Sequence, residues 1–271
     1  MLLYKNKRQI DNLILSFTSF PARLQFIEYT LFSIIQQTIR PKKIILWLSS
    51  DEFPKREKSI PENVLRYKPF NFKIQFVEKN FRSYKKLIYS LEKYPDDIIV
   101  TFDDDIYYKP DWLEKLYSTY SNFPNDIISH RVHAISFKNN HIDLYQNWSE
   151  GKIGASFLNF FTGAGGILYP PRSLYDDAVK SEYFMNLCPS ADDIWFYVMA
   201  LLQKTLIRKV KNGYDKAIDF DYVFDRDYVT IPKLTNINLD ENRNDIQFKA
   251  VLEHYGIYES FYALYGGNTC Y

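Results

Sequence analysis

Hydrophobic residues in the first half of the chain form short apolar runs that alternate with segments of helical periodicity. Residues 10–17 predict a first strand, and Pro21 suits the first turn of a helix that ends near Gln37. The uniformly apolar residues 43–48 predict a strand buried on both faces, and the alternating residues 72–77 predict a third strand. This order is typical of the start of an α/β fold.

The alternation continues through the middle of the chain. Ser83 is placed to cap a helix that stops near Pro95 and leads into a strand over residues 98–102. Pro110 begins another helix, and residues 127–137 predict a further strand. Strands that alternate with helices need crossover connections, so the pattern predicts a mainly parallel central sheet with helices on both faces.

The C-terminal residues carry a weaker pattern. Residues 244–255 predict a helix in which Asn244 and Gln247 form a capping pair. A chain of 271 residues with 46% hydrophobic residues can bury a large core, and no low-complexity linker divides it. We therefore predict one domain over residues 1–271, with a motif-bearing core at 10–205 and a C-terminal extension at 212–271.

Charge and composition exclude several classes of function. The formal net charge of +1 provides no broad basic field for nucleic acid. The N-terminus becomes charged too early for a signal peptide, and no apolar run approaches the ~18 residues of a membrane span, so we expect a cytoplasmic protein. Cys188 and Cys270 are too few for a disulfide framework or a zinc site and are expected to be ordinary thiols.

Three consecutive carboxylates follow the predicted strand at residues 98–102. Asp103, Asp104 and Asp105 would lie at its carboxyl end, where open α/β sheets bind their ligands. Adjacent carboxylates repel one another, whereas a divalent cation stabilises their ionised form and takes their oxygens as ligands. The cluster therefore predicts a metal site, with a solvated acidic turn as the alternative.

A glycine segment lies further along the chain. Gly163, Gly165 and Gly166 stand between apolar residues, which allows a ligand to approach the backbone closely. The spacing is not that of a dinucleotide fingerprint. A tight turn packed against a neighbouring strand is the alternative interpretation.

A second acidic motif opens a predicted helix. Ser190 and Asp193 have the spacing of a capping box, and Asp192 also favours a helix N-terminus, so capping alone would account for these residues. A carboxylate held at a helix N-terminus is equally suited to act as a general base.

Five segments occur in order along residues 10–205. They are Thr18-Ser19-Phe20-Pro21-Ala22-Arg23, Ser83-Tyr84-Lys85-Lys86-Leu87, Asp103-Asp104-Asp105, Thr162-Gly163-Ala164-Gly165-Gly166 and Asp192-Asp193-Ile194-Trp195. Together they resemble bacterial GT-A fold glycosyltransferases, and most closely the family-2-like enzymes of capsule and lipopolysaccharide gene clusters. The resemblance implies the GT-A, or nucleotide-diphospho-sugar transferase, fold.

The resemblance also implies a donor site. Its D-x-D signature matches residues 103–105, where Asp103 lies near the ribose and Asp105, together with Asp103, binds Mn²⁺ or Mg²⁺ on the diphosphate of a nucleotide-sugar, with a UDP-sugar favoured. The remaining donor-site residues that it implies are Asp104, Thr18, Pro21 and Arg23, with Lys86 and its neighbour Lys85 near the diphosphate. An exposed helical lysine is the alternative for Lys86.

On the acceptor side, the resemblance assigns Thr162 and the glycine segment to the junction of donor and acceptor. Asp193, with Asp192, matches the acidic pair that serves as catalytic base in inverting members. Retaining members can carry an acidic pair here too, so the stereochemistry stays open. Trp148 is a candidate for stacking on the acceptor, or else an ordinary core or surface tryptophan.

Two other classes fit parts of the pattern. A haloacid-dehalogenase-like phosphatase would use Asp103 as nucleophile and the later acidic pair to hold Mg²⁺. A non-catalytic carbohydrate- or nucleotide-binding module would use the aromatic residues and the glycine segment but needs no general base. The ordered motifs favour a metal-dependent hexosyltransferase that acts on a hydroxyl of a glycan or lipid-linked glycan.

Family resemblance places that acceptor at the inner face of a bacterial membrane. With a net charge of +1, peripheral contact with anionic lipid has to come from a local patch. The basic residues that suit such a patch are Lys204, Arg208, Lys209 and Lys211, with a solvated helix end as the alternative.

Overall fold

A computed structural model describes residues 2–214, 219, 221–223 and 242–266. Numbered in chain order over these residues, the helices are α1 (Leu2–Lys5), α2 (Pro21–Leu24), α3 (Ile27–Ile35), α4 (Glu62–Leu65), α5 (Lys85–Lys93), α6 (Trp112–Asn122), α7 (Ser181–Leu187), α8 (Asp192–Leu202), α9 (Arg243–His254) and α10 (Phe261–Tyr265). The strands are β1 (Gln9–Thr18), β2 (Arg40–Ser49), β3 (Phe72–Val77), β4 (Ile98–Thr101), β5 (Ile106–Tyr107), β6 (Ile127–Ser129), β7 (Val132–Ala134), β8 (Phe137–Lys138), β9 (His141–Ile142), β10 (Ser149–Glu150), β11 (Gly154–Ser156), β12 (Asn159–Phe161), β13 (Ile167–Tyr169), β14 (Ile207–Lys209) and β15 (Asp221–Tyr222).

An eight-stranded sheet in the order β11-β14-β6-β13-β4-β1-β2-β3 forms the centre of the fold. Strands β1, β2, β3, β4, β6 and β14 run in one direction, and β11 and β13 run in the other. The predicted α/β fold with a mainly parallel sheet is confirmed.

The two faces of the sheet carry separate hydrophobic cores. Along β1, Leu13 and Leu15 contribute to one core and Ile14 to the other, because successive side chains of a strand point to opposite faces. Helices α3 and α6 pack in the first core, and α5 and α8 pack in the second. Helices therefore cover both faces, as predicted.

Two predicted elements are divided in the structure. The helix predicted from Pro21 to Gln37 is broken into α2 and α3, and the strand predicted at 127–137 becomes β6, β7 and β8. The chain leaves the central sheet after β6, and β7 enters a three-stranded sheet of order β10-β7-β12. A run of strand-forming residues does not reveal a change of sheet.

Two predicted helix caps are wrong. Ser83 lies in a 3₁₀ turn, and the residue that precedes α5 is Tyr84, without a side-chain cap. Asn242, not Asn244, precedes α9. Gln247 instead accepts a hydrogen bond from the Ser190 amide at 3.0 Å, because a buried amide side chain is satisfied by the nearest tertiary partner.

The C-terminal helix α9 packs against α8. Its residues Phe248, Val251 and Leu252 belong to the same buried cluster as Trp195 of α8. Cys188 is a buried free thiol. Cys270 lies outside the described residues.

Two of the four residues of the predicted basic patch are paired within the fold, whereas Lys204 and Lys211 are exposed. Arg208 pairs with Asp126 at 2.7 Å, and Lys209 is 4% exposed and pairs with Glu150 at 2.6 Å. Both residues lie in β14, so their charges are used within the fold rather than on a helix end. Over the described part of the chain, the helices lack the length and apolar character needed to cross a bilayer.

Replacing Gly166 with alanine tests how the glycine segment packs. Gly166 has φ +81°, and a Cβ atom there would lie 2.3 Å from the Trp112 ring. Overpacking and backbone strain should together lower the free energy of unfolding by about 2 kcal/mol or more. Urea denaturation measures this change.

The matched control is Gly154→Ala. Gly154 has φ +104° with nothing within 4 Å of its added Cβ, so this variant isolates the backbone strain. Equal losses in the two variants would show that contact with Trp112 is not the cause.

Candidate functional site

A cleft of about 740 Å³ opens at the carboxyl ends of β1 and β4. Its volume falls in the range of small-molecule sites. The predicted site residues that line it are Thr18, Arg23, Lys85, Lys86, Asp103, Asp104, Asp105, Trp148, Thr162, Gly163, Asp192 and Asp193.

Three predicted site residues lie outside the lining. Pro21 is exposed at the first turn of α2. Gly165 packs against the backbone of Arg131, and Gly166 packs against Trp112. The alternative interpretation of a tightly packed turn describes these two glycines. They pack against neighbouring residues and do not form part of the cleft surface.

Lys86 joins the two acidic motifs. Its Nζ lies 3.1 Å from Asp103 Oδ1 and 3.2 Å from Asp192 Oδ2, and its side chain is 8% exposed. Burial disfavours the charged form of Lys86, but the carboxylates of Asp103, Asp192 and Asp193 outweigh this and raise its pKa well above the usual value. The interpretation of Lys86 as an exposed helical lysine is wrong.

The carboxylate of Asp193 is held by the glycine segment. The backbone N–H of Gly163 donates to Asp193 Oδ2 at 2.9 Å. Burial first, and then the charge of Asp192, raise the pKa of Asp193 to about 7, although Lys86 acts in the opposite direction. A carboxyl group with such a pKa can accept a proton near neutral pH.

The predicted capping box does not form. Ala191 precedes α8 without a side-chain cap, and Ser190 Oγ donates to Gln247 Oε1 at 3.1 Å. Local spacing favoured the cap, but tertiary partners from the glycine segment and α9 take both side chains. The position of the Asp193 carboxylate is therefore fixed by its hydrogen bond to Gly163 across the cleft, not by a helix cap.

Three charged groups converge on Gly163. A Cβ atom there would lie 3.0 Å from Lys86 Nζ, 3.4 Å from Asp103 Oδ1 and 3.4 Å from Asp193 Oδ1. Glycine at this position leaves the space in which these groups face one another.

The acidic triplet has an inner and an outer part. Asp104 is 5% exposed, and it accepts hydrogen bonds from Ser19 at 2.6 Å and from Arg23 at 2.8 Å. Asp103 and Asp105 keep side-chain exposures of 31% and 13%. Asp104 therefore ties the loop after β1 to the loop after β4, and the outer pair has the D-x-D spacing.

The outer carboxylates fit a hard divalent cation by their chemistry. Asp103 and Asp105 offer oxygen donors of the kind that Mg²⁺ and Mn²⁺ prefer. Within the described ranges, no group of three His, Cys, Asp or Glu side chains is arranged to hold a metal ion. Mg²⁺ commonly binds one or two carboxylates together with substrate phosphates, so two aspartates are a sufficient protein contribution.

Trp148 is mainly a core residue. It is 7% exposed, its indole N–H donates to the Asp143 carbonyl at 2.9 Å, and it packs against Tyr145, Phe160 and Phe248. Its remaining surface borders the cleft.

One wall of the cleft consists of residues that were not predicted from the sequence. Arg131, His133, Tyr145 and Asn244 line it, although none was predicted as a site residue. Polar residues two apart in a strand share a face, which was the available signal for Arg131 and His133. No local signal pointed to Asn244, which comes from the C-terminal extension.

The sequence model of the family described as glycosyl transferase family 2 matches residues 19–182. The chain belongs to this family. The match covers the acidic triplet and the glycine segment, so the resemblance based on these motifs is confirmed. It ends before Asp192 and Asp193, which are joined to the rest of the site by Lys86 and Gly163.

Several solved structures are similar to this family 2 chain at low sequence identity. The crystal structure of S. aureus TarS 1-349 has a TM-score of 0.47 and 14% identity over 76% of this chain and 59% of that chain. A CMP:2-keto-3-deoxy-manno-octonic acid synthetase complexed with CTP has a TM-score of 0.43 and 10% identity over 75% and 89% of the two chains. A putative glucose-1-phosphate thymidylyltransferase from Bacillus anthracis has a TM-score of 0.44 and 13% identity over 85% and 99%.

The chain thus spans 59% of the length of the TarS structure that it resembles. No curated protein sequence matches it.

Replacing Lys86 with methionine tests the link between the acidic motifs in this family 2 chain. Loss of the cation leaves Asp103 and Asp192 without their partner, which should lower the free energy of unfolding by about 3 kcal/mol. It should also raise the pKa of Asp193, because the charge of Lys86 lowers that pKa in the native protein. Urea denaturation and an NMR titration of the carboxyl groups measure the two effects.

The neighbouring Lys85→Met is the control. Lys85 is 2% exposed and pairs with Glu52 at 3.3 Å. This variant should lose stability without a change in the pKa of Asp193. An Asp193 pKa that stays at the native value in Lys86→Met would contradict the bridging role.

Proposed function

We propose that this chain is a glycosyltransferase that moves a sugar from a nucleotide-diphosphate donor to a hydroxyl group of a glycan or lipid-linked glycan. One observation carries the proposal. Lys86 brings the acidic triplet after β4 and the acidic pair of α8 to the two sides of Gly163 in one cleft. Donor binding and proton removal need two such groups close together.

The donor would lie over the loops after β1 and β4. Arg23 pairs with Asp104 and Asp105 and fixes the shape of this part of the cleft. Asp103 and Asp105 would hold Mn²⁺ or Mg²⁺, and the ion would neutralise the charge on the leaving nucleoside diphosphate when bound. Family membership supports the nucleotide-sugar as donor, with a UDP-sugar favoured.

Asp193 would serve as the general base. The acceptor oxygen forms a bond to the anomeric carbon as the bond to the diphosphate breaks, and the hydroxyl proton passes to the Asp193 carboxylate. Asp192 contributes through its charge, which raises the pKa of Asp193. A single displacement of this kind inverts the anomeric configuration.

The biological acceptor is proposed from the family resemblance to be a surface glycan or its lipid-linked precursor. Transfer would then take place at the inner face of a bacterial membrane, as in capsule or lipopolysaccharide synthesis. Because Arg208 and Lys209 pair within the fold, membrane contact through the proposed basic patch would come from the exposed Lys204 and Lys211. We also infer that the C-terminal extension belongs to the catalytic domain, since α9 packs on α8 and Asn244 lines the cleft.

Asp105→Asn tests the donor and metal site. Calorimetry with UDP, GDP, CDP and dTDP should detect tighter binding of one nucleotide with Mn²⁺ than with EDTA. Removing one carboxylate ligand should weaken this Mn²⁺-dependent binding by at least about tenfold.

Asp96→Asn is the matched control, because Asp96 is 79% exposed and lies in a surface ion pair with Arg172. It should bind the nucleotide like the native protein. If Mn²⁺ improves no nucleotide's affinity, the metal assignment is wrong.

Asp193→Asn separates binding from chemistry. It should keep nucleotide affinity and lower the transfer rate by about 10² or more, the scale for loss of a positioned base. In the native protein the rate should fall as the pH drops below about 7, because the protonated Asp193 cannot accept a proton. The transfer rate is measured from the release of the nucleoside diphosphate.

Ser190→Ala provides the control for stability. Ser190 bonds to Gln247, so its loss should weaken the contact between α8 and α9 while transfer continues. An Asp193→Asn variant with native turnover would remove Asp193 as the base.

A further inference from the structure

Arg131 differs from the other buried or half-buried cations of the cleft. Arg23, Lys85 and Lys86 each form an ion pair with a carboxylate. Among the residues that the structure describes, none forms a hydrogen bond or ion pair with the guanidinium of Arg131. As far as the described residues go, this half-buried charge in the cleft wall is available to a ligand. Arg82, which also lines the cleft, is exposed to solvent.

The backbone of Arg131 is fixed. Its carbonyl accepts the Thr162 N–H at 3.1 Å and the Ser129 hydroxyl at 3.0 Å. A Cβ atom on Gly165 would lie 2.6 Å from the Arg131 nitrogen, so the glycine permits this close packing. The guanidinium therefore extends from a fixed backbone position beside the loop that carries Gly163.

His133 adds a neutral polar group to the same wall. It lies two residues from Arg131, and its ring stands 5.9 Å from the ring of Tyr145. Burial first, and then the charges of Arg131 and Lys209, lower the pKa of His133 to about 4. At neutral pH its imidazole therefore offers one donor and one acceptor and adds no charge.

Backbone pairing places Arg131 on the Asp193 side of the cleft. The Arg131 carbonyl accepts the Thr162 N–H, and the next residue, Gly163, donates its N–H to Asp193 Oδ2 at 2.9 Å. The charges of Asp193 and Arg131 also act on Tyr145, whose pKa is raised mainly by burial. Arg131 therefore lies on the side of the proposed general base, where the acceptor would approach.

A guanidinium at such a place suits a planar or tetrahedral oxyanion. Arginine presents a rigid fork of N–H donors that matches phosphate and carboxylate in two-point contacts. A neutral sugar hydroxyl would leave the charge only partly satisfied in a half-buried site. An anionic group is the ligand that both satisfies the donors and balances the charge.

We propose that Arg131 binds a phosphate or carboxylate group of the acceptor, so that the chain glycosylates an anionic acceptor. This proposal rests on the proposed function, because only a glycosyltransferase has an acceptor. The binding of an anionic saccharide to Arg131 can be measured without donor, metal or turnover.

The test compares matched neutral and anionic ligands. Glucose with glucose 6-phosphate, and galactose with galacturonate, are titrated into the native protein without nucleotide and followed by NMR. The anionic member of at least one pair should bind roughly 10- to 100-fold more tightly, the range for a hydrogen bond to a charged group. The preference should weaken as salt is added.

Arg131→Gln should abolish this preference, and Arg131→Lys should restore part of it. Arg172→Gln is the matched control, since Arg172 is an 82% exposed surface residue outside the cleft lining, and it should behave like the native protein. Thermal melting verifies that the variants fold. If Arg131→Gln does not fold, the reduced preference of Arg131→Lys tests the same point.

Other outcomes would overturn the proposal. Equal binding of both members of each pair, no binding of any, or a preference that survives in the Arg131 variants would each do so. If Arg131→Gln instead weakens UDP binding in Mn²⁺, Arg131 serves the donor phosphates. If it removes a native preference for UDP-glucuronate over UDP-glucose, it serves the donor sugar. Failure of every nucleotide to bind would reject the proposed function, whereas the binding of anionic saccharides to Arg131 would be judged separately.

Discussion

The buried ammonium group of Lys86 is the interaction on which the site depends. It lies between a carboxylate that follows β4 and a carboxylate that begins α8, two segments that no local contact would bring together. Without this cation, the neighbouring carboxylates of Asp103, Asp192 and Asp193 would repel one another. Lys86 therefore links the two acidic motifs, and it lowers the pKa of Asp193 against the larger effects of burial and Asp192.

The C-terminal helix takes part in the same construction. Gln247 of α9 accepts both the amide N–H and the hydroxyl of Ser190, at the start of the segment that leads into Asp193. Phe248 packs against Trp148 beneath the cleft. The proposed acceptor end is thus built from chain segments on either side of α8, whereas the proposed donor end is built from the loops after β1 and β4. Arg23 is paired with Asp104, whereas Arg131 has no partner among the described residues, and this difference is the basis for proposing different ligands for the two ends.

Much of the fold was predictable because its signals are local. Apolar runs mark β1, β2 and β4, since strands buried on both faces are largely apolar, and alternation marks β3 at the edge of the sheet. The acidic triplet, the glycine segment and the acidic pair were recognisable because their residue types suit specific chemistry. Capping interactions were not predictable. Ser83 and Ser190 have suitable spacing, but spacing cannot exclude a competing tertiary partner such as Gln247.

The sequence by itself determined the α/β alternation, the position of the carboxylates at a strand end and membership in a family with these motifs. Only the tertiary structure decided that Asp104 faces inward to Ser19 and Arg23, that Lys86 is buried, and that Arg131 lacks a partner among the described residues. The physical reason is that burial and charge pairing depend on residues distant in the chain. A strand or a helix follows from neighbouring residues, but the partner of a charged side chain follows from the packing of the whole fold.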